Sequence, residues 1–252
     1  MLLLAAVLAL TATGCGGGKE TEVVVFAAAS LTETLTELEK TYEAAHGDVD
    51  LVFTFDSSGT LKTQIMEGAR CDLFLSAAPK QMNELEEAGL LAQGSRIDLL
   101  ENKVALCVAE GNPAAIESFD DLADALQNGT VLLAMGNADV PVGQYTQKIF
   151  RYYGIDEAAV SGCITYGSNV KEVTTAVTEA TADCGVIYAT DAASAGLTPV
   201  AAATAEMCGQ VIYPASVLSG APAAEQAQAF LDSLRTAESA AVFEAVGFTA
   251  LG

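Results

Sequence analysis

Short runs of β-branched and apolar residues alternate along the chain with segments whose apolar positions recur every three or four residues. Val23 to Ala27 reads as a strand, after which Leu31, Leu35, Leu38 and Tyr42 recur at helical spacing as far as His46. Val49 to Phe55 is the next strand and Thr60 to Gly68 a short helix. Asp72 to Ser76 is a third strand, and Pro79 to Ala88 a helix that Gly89 stops. This βαβαβ order predicts a mostly parallel sheet with helices on both faces. A second series opens near Lys103, with Val104 to Val108 a strand, Phe119 to Leu126 a helix and Val131 to Met135 a strand. A helix from Pro141 to Tyr153, a strand from Cys163 to Tyr166, a helix from Val170 to Ala180 and a strand from Cys184 to Tyr188 continue it. After Val211 to Leu218 the chain closes with helices at Ala223 to Leu234 and Glu238 to Ala245. The expectation is an α/β fold of two lobes, lobe I from 21–104 plus 211–252 and lobe II from 105–210. Short crossings near Lys103 and near Cys208 to Val211 would serve as hinges, and two such crossings permit closure around a ligand.

The first fourteen residues, MLLLAAVLALTATG, break this pattern: they are apolar and uncharged, and Cys15 follows with three glycines after it. This reads as an export signal rather than a structural helix. Ala12-Thr13-Gly14-Cys15 resembles a bacterial lipobox, although no Lys or Arg precedes the apolar run and Ala12 stands where that motif usually has Leu or Val. Residues 1–20 are therefore expected to be a signal peptide and lipidated linker, with Cys15 the lipid-bearing residue and the body extracytoplasmic, held to the cell membrane only by that anchor. An ordinary cleaved signal peptide with an incidental Cys15 is the alternative. A spanning helix needs roughly 20 apolar residues in a row. The longest later uncharged stretch, Met207 to Ala224, is interrupted by Gln210, Pro214, Ser216 and Pro222.

Charge narrows the partners. The 252 residues carry 33 acidic against 11 basic side chains, a formal charge of −22. That argues against nucleic acid and against docking on an anionic bilayer. It also repels an anionic ligand at long range, so an anion site would have to work locally. Beyond Cys15, the cysteines Cys71, Cys107, Cys163, Cys184 and Cys208 make no CxxC pair and His46 is the only histidine, so no site for a bare metal cation is expected. Buried free thiols are the default, with a Cys163 to Cys184 bridge conceivable.

Four places put small or hydroxylic residues just after a strand and at the start of a helix. They are Ala28-Ala29-Ser30-Leu31-Thr32-Glu33, Asp56-Ser57-Ser58-Gly59-Thr60, Val140-Pro141-Val142-Gly143-Gln144-Tyr145 and Gly167-Ser168-Asn169-Val170-Lys171-Glu172. Ser30 with Glu33, and Asn169 with Glu172, have capping-box spacing, and Pro141 suits a first helical turn. Helix N-termini at the carboxyl ends of parallel strands present free N–H groups and the positive dipole end, and open α/β sheets bind ligands there. Any one alone is an ordinary cap. Four converging on a cleft would make a neutral anion trap, in which about seven charge-assisted hydrogen bonds of roughly 1.5 to 3 kcal/mol each would supply about 10 to 20 kcal/mol.

The segments Val25 to Leu31, Phe55 to Leu61 and Cys71 to Ala77 resemble the periplasmic molybdate-binding protein family. Val140 to Tyr145, Ser168-Asn169-Val170, Gly185 to Ala192 and the ending Phe230 to Phe248 are similar to it as well. The resemblance implies a type II periplasmic-binding-protein fold with the ligand in the interlobe cleft. It implies that Ser30 and Ser58 offer backbone N–H and hydroxyl to the anion, Val142 and Val170 backbone N–H, and Tyr188 its hydroxyl. It further implies a monomeric binding protein, without cofactor or catalysis, that hands molybdate or tungstate to an ABC permease with a separate ATPase subunit. Such a site should hardly separate molybdate from tungstate, should hold the smaller sulfate loosely, and should disfavour phosphate, which carries a proton at neutral pH and wants an acceptor; Asp56 keeps that last question open.

Three rivals remain: another oxyanion such as sulfate or phosphate, ferric ion held by tyrosines such as Tyr152, Tyr153, Tyr188 and Tyr213, and a surface module whose acidic face meets a protein. A hydrolase is remote, since no G-x-S-x-G, P-loop or H-E-x-x-H pattern occurs and His46 beside Gly47 reads as a solvated helix end.

Overall fold

A computed structural model describes residues 20–251; Cys15 and the expected export signal lie outside them. In the first lobe β1 (Thr21–Ala28) passes through a 3-10 turn (Ala29–Leu31) into α1 (Thr32–Ala45). β2 (Val49–Asp56) leads to α2 (Ser58–Met66), and β3 (Leu73–Leu75) to α3 (Pro79–Glu87). β4 (Ile97–Asn102) crosses at Lys103 into β5 (Val104–Val108) of the second lobe. There follow α4 (Phe119–Asn128), β6 (Leu133–Gly136), α5 (Pro141–Tyr153), β7 (Ile164–Gly167), α6 (Val170–Thr178) and β8 (Cys184–Tyr188). α7 (Ala189–Ser194), β9 (Ala201–Ala202) and α8 (Ala205–Cys208) complete that lobe. β10 (Val211–Val217) returns to the first, where α9 (Ala224–Ser233), α10 (Ala237–Ala245) and β11 (Thr249–Ala250) end the chain.

The two sheets are built alike. One has the order β11-β4-β10-β3-β1-β2 and the other β7-β6-β8-β5-β9. In each, three parallel strands are followed by one that runs antiparallel: β10 against β3, and β5 against β8. Those antiparallel strands are the ones that carry the chain between lobes. Parallel strands covered on both faces read as continuous apolar runs, which is why Val25, Phe26, Ala27 and Ala28 are buried in succession in β1. On α1 the buried Leu35, Leu38 and Tyr42 form the stripe that packs on the sheet. Asp72 is buried beneath the same lobe, its carboxylate accepting from the N–H groups of Val24 (2.8 Å) and Ala223 (3.1 Å).

Several expectations need correction. The pattern gave no sign of β4, whose Asp98 and Glu101 interrupt its apolar run, nor of the two-residue strands β9 and β11, which exist only through their pairing. Cys163 ends a 3-10 turn (Ser161–Cys163) instead of opening a strand. All five described cysteines are free thiols, and burial pushes Cys71, Cys107 and Cys184 up to about 12, so they stay protonated. Ser30 and Glu33 do not close a capping box, because the 3-10 turn intervenes and no side chain caps α1.

Candidate functional site

The carboxyl ends of β1, β2, β6, β7 and β8 point at one place between the lobes. A cavity with about 200 Å³ free of protein atoms lies there, and Ser30, Ser58, Val142, Val170 and Tyr188 all line it. The five residues singled out from the sequence are thus brought together. Only about 10 Å³ of it is open to the centre of a water-sized sphere, far below the roughly 300 to 1,000 Å³ of pockets for drug-sized ligands, so only a compact ion fits.

Local sequence explains each placement. Ser57 caps α2 by accepting the Thr60 N–H at 3.1 Å, which leaves Ser58 as the first helical residue. Asn169 caps α6 by accepting the Glu172 N–H at 3.1 Å, while Glu172 accepts the Ser168 N–H at 2.7 Å, so Val170 opens that helix. Pro141 starts α5 and Val142 follows it. First-turn N–H groups have no partner within their own helix, and those of Ser58, Val142 and Val170 find none elsewhere among the described residues. Gly143 is required beside them, because a Cβ there would collide with the carbonyl oxygens of Gly136 and Asn137.

The hydroxyls can act as donors. Asn102 donates from Nδ2 to the Tyr213 oxygen at 3.2 Å, and Tyr213 Oη lies 2.9 Å from Ser30 Oγ. An amide N–H can only donate, so Asn102 occupies one acceptor position of Tyr213; the Tyr213–Ser30 bond can run in either direction, and with Tyr213 as donor the Ser30 proton is left for the cavity. The Ala77 N–H donates to Ser58 Oγ at 2.9 Å, which frees the Ser58 proton in the same way. Tyr188 Oη is buried with no hydrogen-bond partner among the described residues. Burial, together with the neighbouring phenols of Tyr213 and Tyr145, pushes Tyr188 well above the ordinary tyrosine value, and burial does the same to Tyr213, so both remain O–H donors. No lysine or arginine lines the cavity.

The lobes touch around it. Lys171 on α6 reaches across to both carboxylate oxygens of Glu33 on α1, at 2.7 and 2.8 Å, and its Nζ is 3.2 Å from Asp191 Oδ1 on α7. Burial, which alone would lower Lys171, is outweighed by Asp191 and Glu33, which hold it above the usual lysine value. Asn169 Nδ2 lies 3.5 Å from Asp56 Oδ1. A Cβ on Gly59 would strike the Asp139 carbonyl oxygen of the opposite lobe, so only glycine permits this approach.

The chain matches the family described as bacterial extracellular solute-binding protein over residues 23–249. It belongs to that family. It is 31% identical over 234 residues to a protein of Bacillus subtilis called ABC transporter substrate-binding lipoprotein YvgL, covering 92% of this chain and 88% of that one. It is 31% identical over 255 residues to the molybdate-binding protein ModA of Escherichia coli, covering 98% and 96%. Among solved structures, the periplasmic molybdate-binding protein of Azotobacter vinelandii superposes with a TM-score of 0.78 at 21% identity, over 91% of this chain and all of that one, which establishes the shared fold.

Two residues beside the crossings between the sheets support the cavity wall. Asn102 ends β4 beside the crossing at Lys103, and Tyr213 lies in β10 just after the other crossing. Neither was identified from sequence as supporting an oxyanion site: 183 residues separate Tyr213 from Ser30, and a lone Asn before a lysine carries no motif. The tyrosines of the ferric reading do not assemble, since Tyr152 is half exposed on α5 while Tyr188 and Tyr213 are buried as protonated phenols. His46 is exposed and stacks on Tyr42 at 4.3 Å.

Proposed function

We propose that the chain captures molybdate or tungstate outside the cytoplasm and hands it to an ABC permease whose ATPase is a separate polypeptide. The observation that carries this reading is a cavity lined by no lysine or arginine, toward which the Ser58 hydroxyl, already accepting from the Ala77 N–H, the unpartnered Tyr188 phenol and the free first-turn N–H groups of Ser58, Val142 and Val170 can all donate. A fully ionised tetrahedral dianion needs donors on every side and no acceptor. In this reading Ser30 and Ser58 give hydroxyl and backbone N–H, Val142 and Val170 backbone N–H, and Tyr188 its phenol. Lobe I is taken as 21–104 plus 211–252 and lobe II as 105–210, a boundary that falls one residue inside β5, the two closing as a monomer without catalysis. The relatives named for molybdate and for lipoprotein character support the ligand and an anchor at Cys15.

Asp56 favours a second reading. Its carboxylate borders the cavity, and only Oδ1 is engaged, by the Ser57 N–H at 2.6 Å and by Asn169. An acceptor there would suit protonated phosphate. Isothermal titration with molybdate, tungstate, sulfate and phosphate separates the two readings. Tight one-to-one binding of the first two, with weak or absent binding of the others, supports the proposal, and phosphate or sulfate binding best overturns it. Intact mass of membrane-extracted protein tests the anchor, which an unlipidated Cys15 would exclude.

A further inference from the structure

A formal charge of −22 opposes capture of any dianion, yet the basic residues are not evenly spread. Among the described residues, Lys62, Arg70, Arg96 and Lys171 sit in ion pairs. Lys40, Lys80, Lys103, Lys148, Arg151 and Arg235 do not. Three of the second group, Lys80, Lys148 and Arg151, line a single groove between the lobes.

The groove runs between α3 of the first lobe, which carries Lys80, and α5 of the second, which carries Lys148 and Arg151. It holds about 1090 Å³, space open to solvent included. Lys148 Nζ lies 4.6 Å from the centre of the Tyr145 ring, which keeps that ammonium against the groove wall. Two carboxylates share the groove, but Glu84 is bonded to Lys62 at 2.8 Å, leaving three cations against Glu87. At physiological salt charges act over roughly 8 Å, so these local cations outweigh the dispersed negative charge for an ion already at the surface.

The groove adjoins the central cavity. Ala77 lines the cavity and Ala78 the groove, and α5 lines the cavity with its first residues and the groove with its next turns. The Tyr145 ring on the groove side meets the Tyr188 ring of the cavity edge-on, 6.4 Å between centres. We infer that this groove is an outer oxyanion site, in which Lys80, Lys148 and Arg151 collect the dianion before it passes into the cavity as the lobes part. The inference rests on the oxyanion reading of the cavity.

The test is stopped-flow binding of tungstate to the purified protein and to its K80Q/K148Q/R151Q variant. Tyrosine fluorescence reports it, since the chain has seven tyrosines and no tryptophan. At low salt the association rate constant of the variant should fall by about tenfold. The dissociation rate should hold within about twofold, and the difference should vanish near 0.5 M salt, as screening requires. All three side chains are exposed, and a melting curve checks the fold; should the triple variant be unstable, K148Q/R151Q is read in its place. Equal association rates at low salt overturn the inference while one-to-one equilibrium binding leaves the cavity reading standing. Unchanged association combined with lost stimulation of permease in vesicles overturns it too, and makes the groove a docking surface for an acidic protein segment. A wild-type protein that binds no oxyanion at equilibrium overturns both.

Discussion

Replacing Tyr188 with phenylalanine removes one oxygen atom and should move stability and affinity in opposite directions. The Tyr188 side chain is 2% exposed, and its hydroxyl has no partner among the described residues. A buried polar group left unsatisfied costs about 1 to 3 kcal/mol, so the ligand-free variant should gain up to about that much. The ring itself is retained, with its edge-on contacts to Tyr145 at 6.4 Å and Tyr213 at 5.7 Å, so no packing loss offsets the gain. In the complex the phenol donates to a dianion, and hydrogen bonds to charged groups contribute about 1.5 to 3 kcal/mol. The dissociation constant should therefore rise by about 10- to 150-fold. Urea denaturation of ligand-free protein and calorimetric titration with molybdate measure the two effects separately. A Y188F protein that is less stable than wild type and binds molybdate as tightly would refute the reasoning, since Tyr188 would then be a core aromatic with an unseen structural partner.

Adjacent serines provide a contrast: S57A removes the cap on Thr60 and should cost about 1 kcal/mol of stability with affinity within about threefold, whereas S58A should weaken molybdate binding about 10- to 150-fold. Because S58A also strands the buried Ala77 N–H, both variants lose stability in urea and only the titration separates them. G59A should leave ligand-free stability within about 1 kcal/mol, since alanine suits a helix at least as well. Its affinity should drop at least about tenfold, because the new Cβ meets the Asp139 carbonyl when the lobes close; unchanged affinity would mean that closure does not bring these residues together. Burial raises Asp191 from 3.8 to about 6, against the opposing pull of Lys171. A raised carboxyl stabilises the native state below its unfolded value and loses that contribution as pH climbs through the folded one. Up to about 3 kcal/mol should thus fade between about pH 4 and 6, and D191N should flatten that segment of a stability-against-pH curve.

Much of the fold was legible because parallel strands buried on both faces are apolar without interruption, and because α1 and α5 carry clear helical spacing. β4 was not legible, since it is a strand by virtue of β10 beside it, and its two acids mask the pattern. At the site, the turns after the strands marked four helix starts, and the family resemblance, not the capping signals, named Ser58, Val142 and Val170 within them. Ser30, also named through the resemblance, lines the cavity although its capping box does not form: its side chain bonds Tyr213 in place of a backbone N–H. What sequence hid was the second layer, the Asn102 to Tyr213 to Ser30 chain and the Lys171 bridge to Glu33. Partners there are 111, 183 and 138 residues apart, and nothing local marks them as neighbours.

In the proposed complex a tetrahedral dianion sits among the donors of Ser30, Ser58, Val142, Val170 and Tyr188. Anomalous diffraction from crystals grown with equimolar tungstate tests it most directly, because tungsten locates the ligand without prior assumption. One dominant tungsten peak is expected between the lobes, with the ligand's oxygens within hydrogen-bonding distance of those hydroxyls and N–H groups and of no lysine or arginine. A dominant peak anywhere else, or a tungstate held there chiefly by a cation, would contradict it.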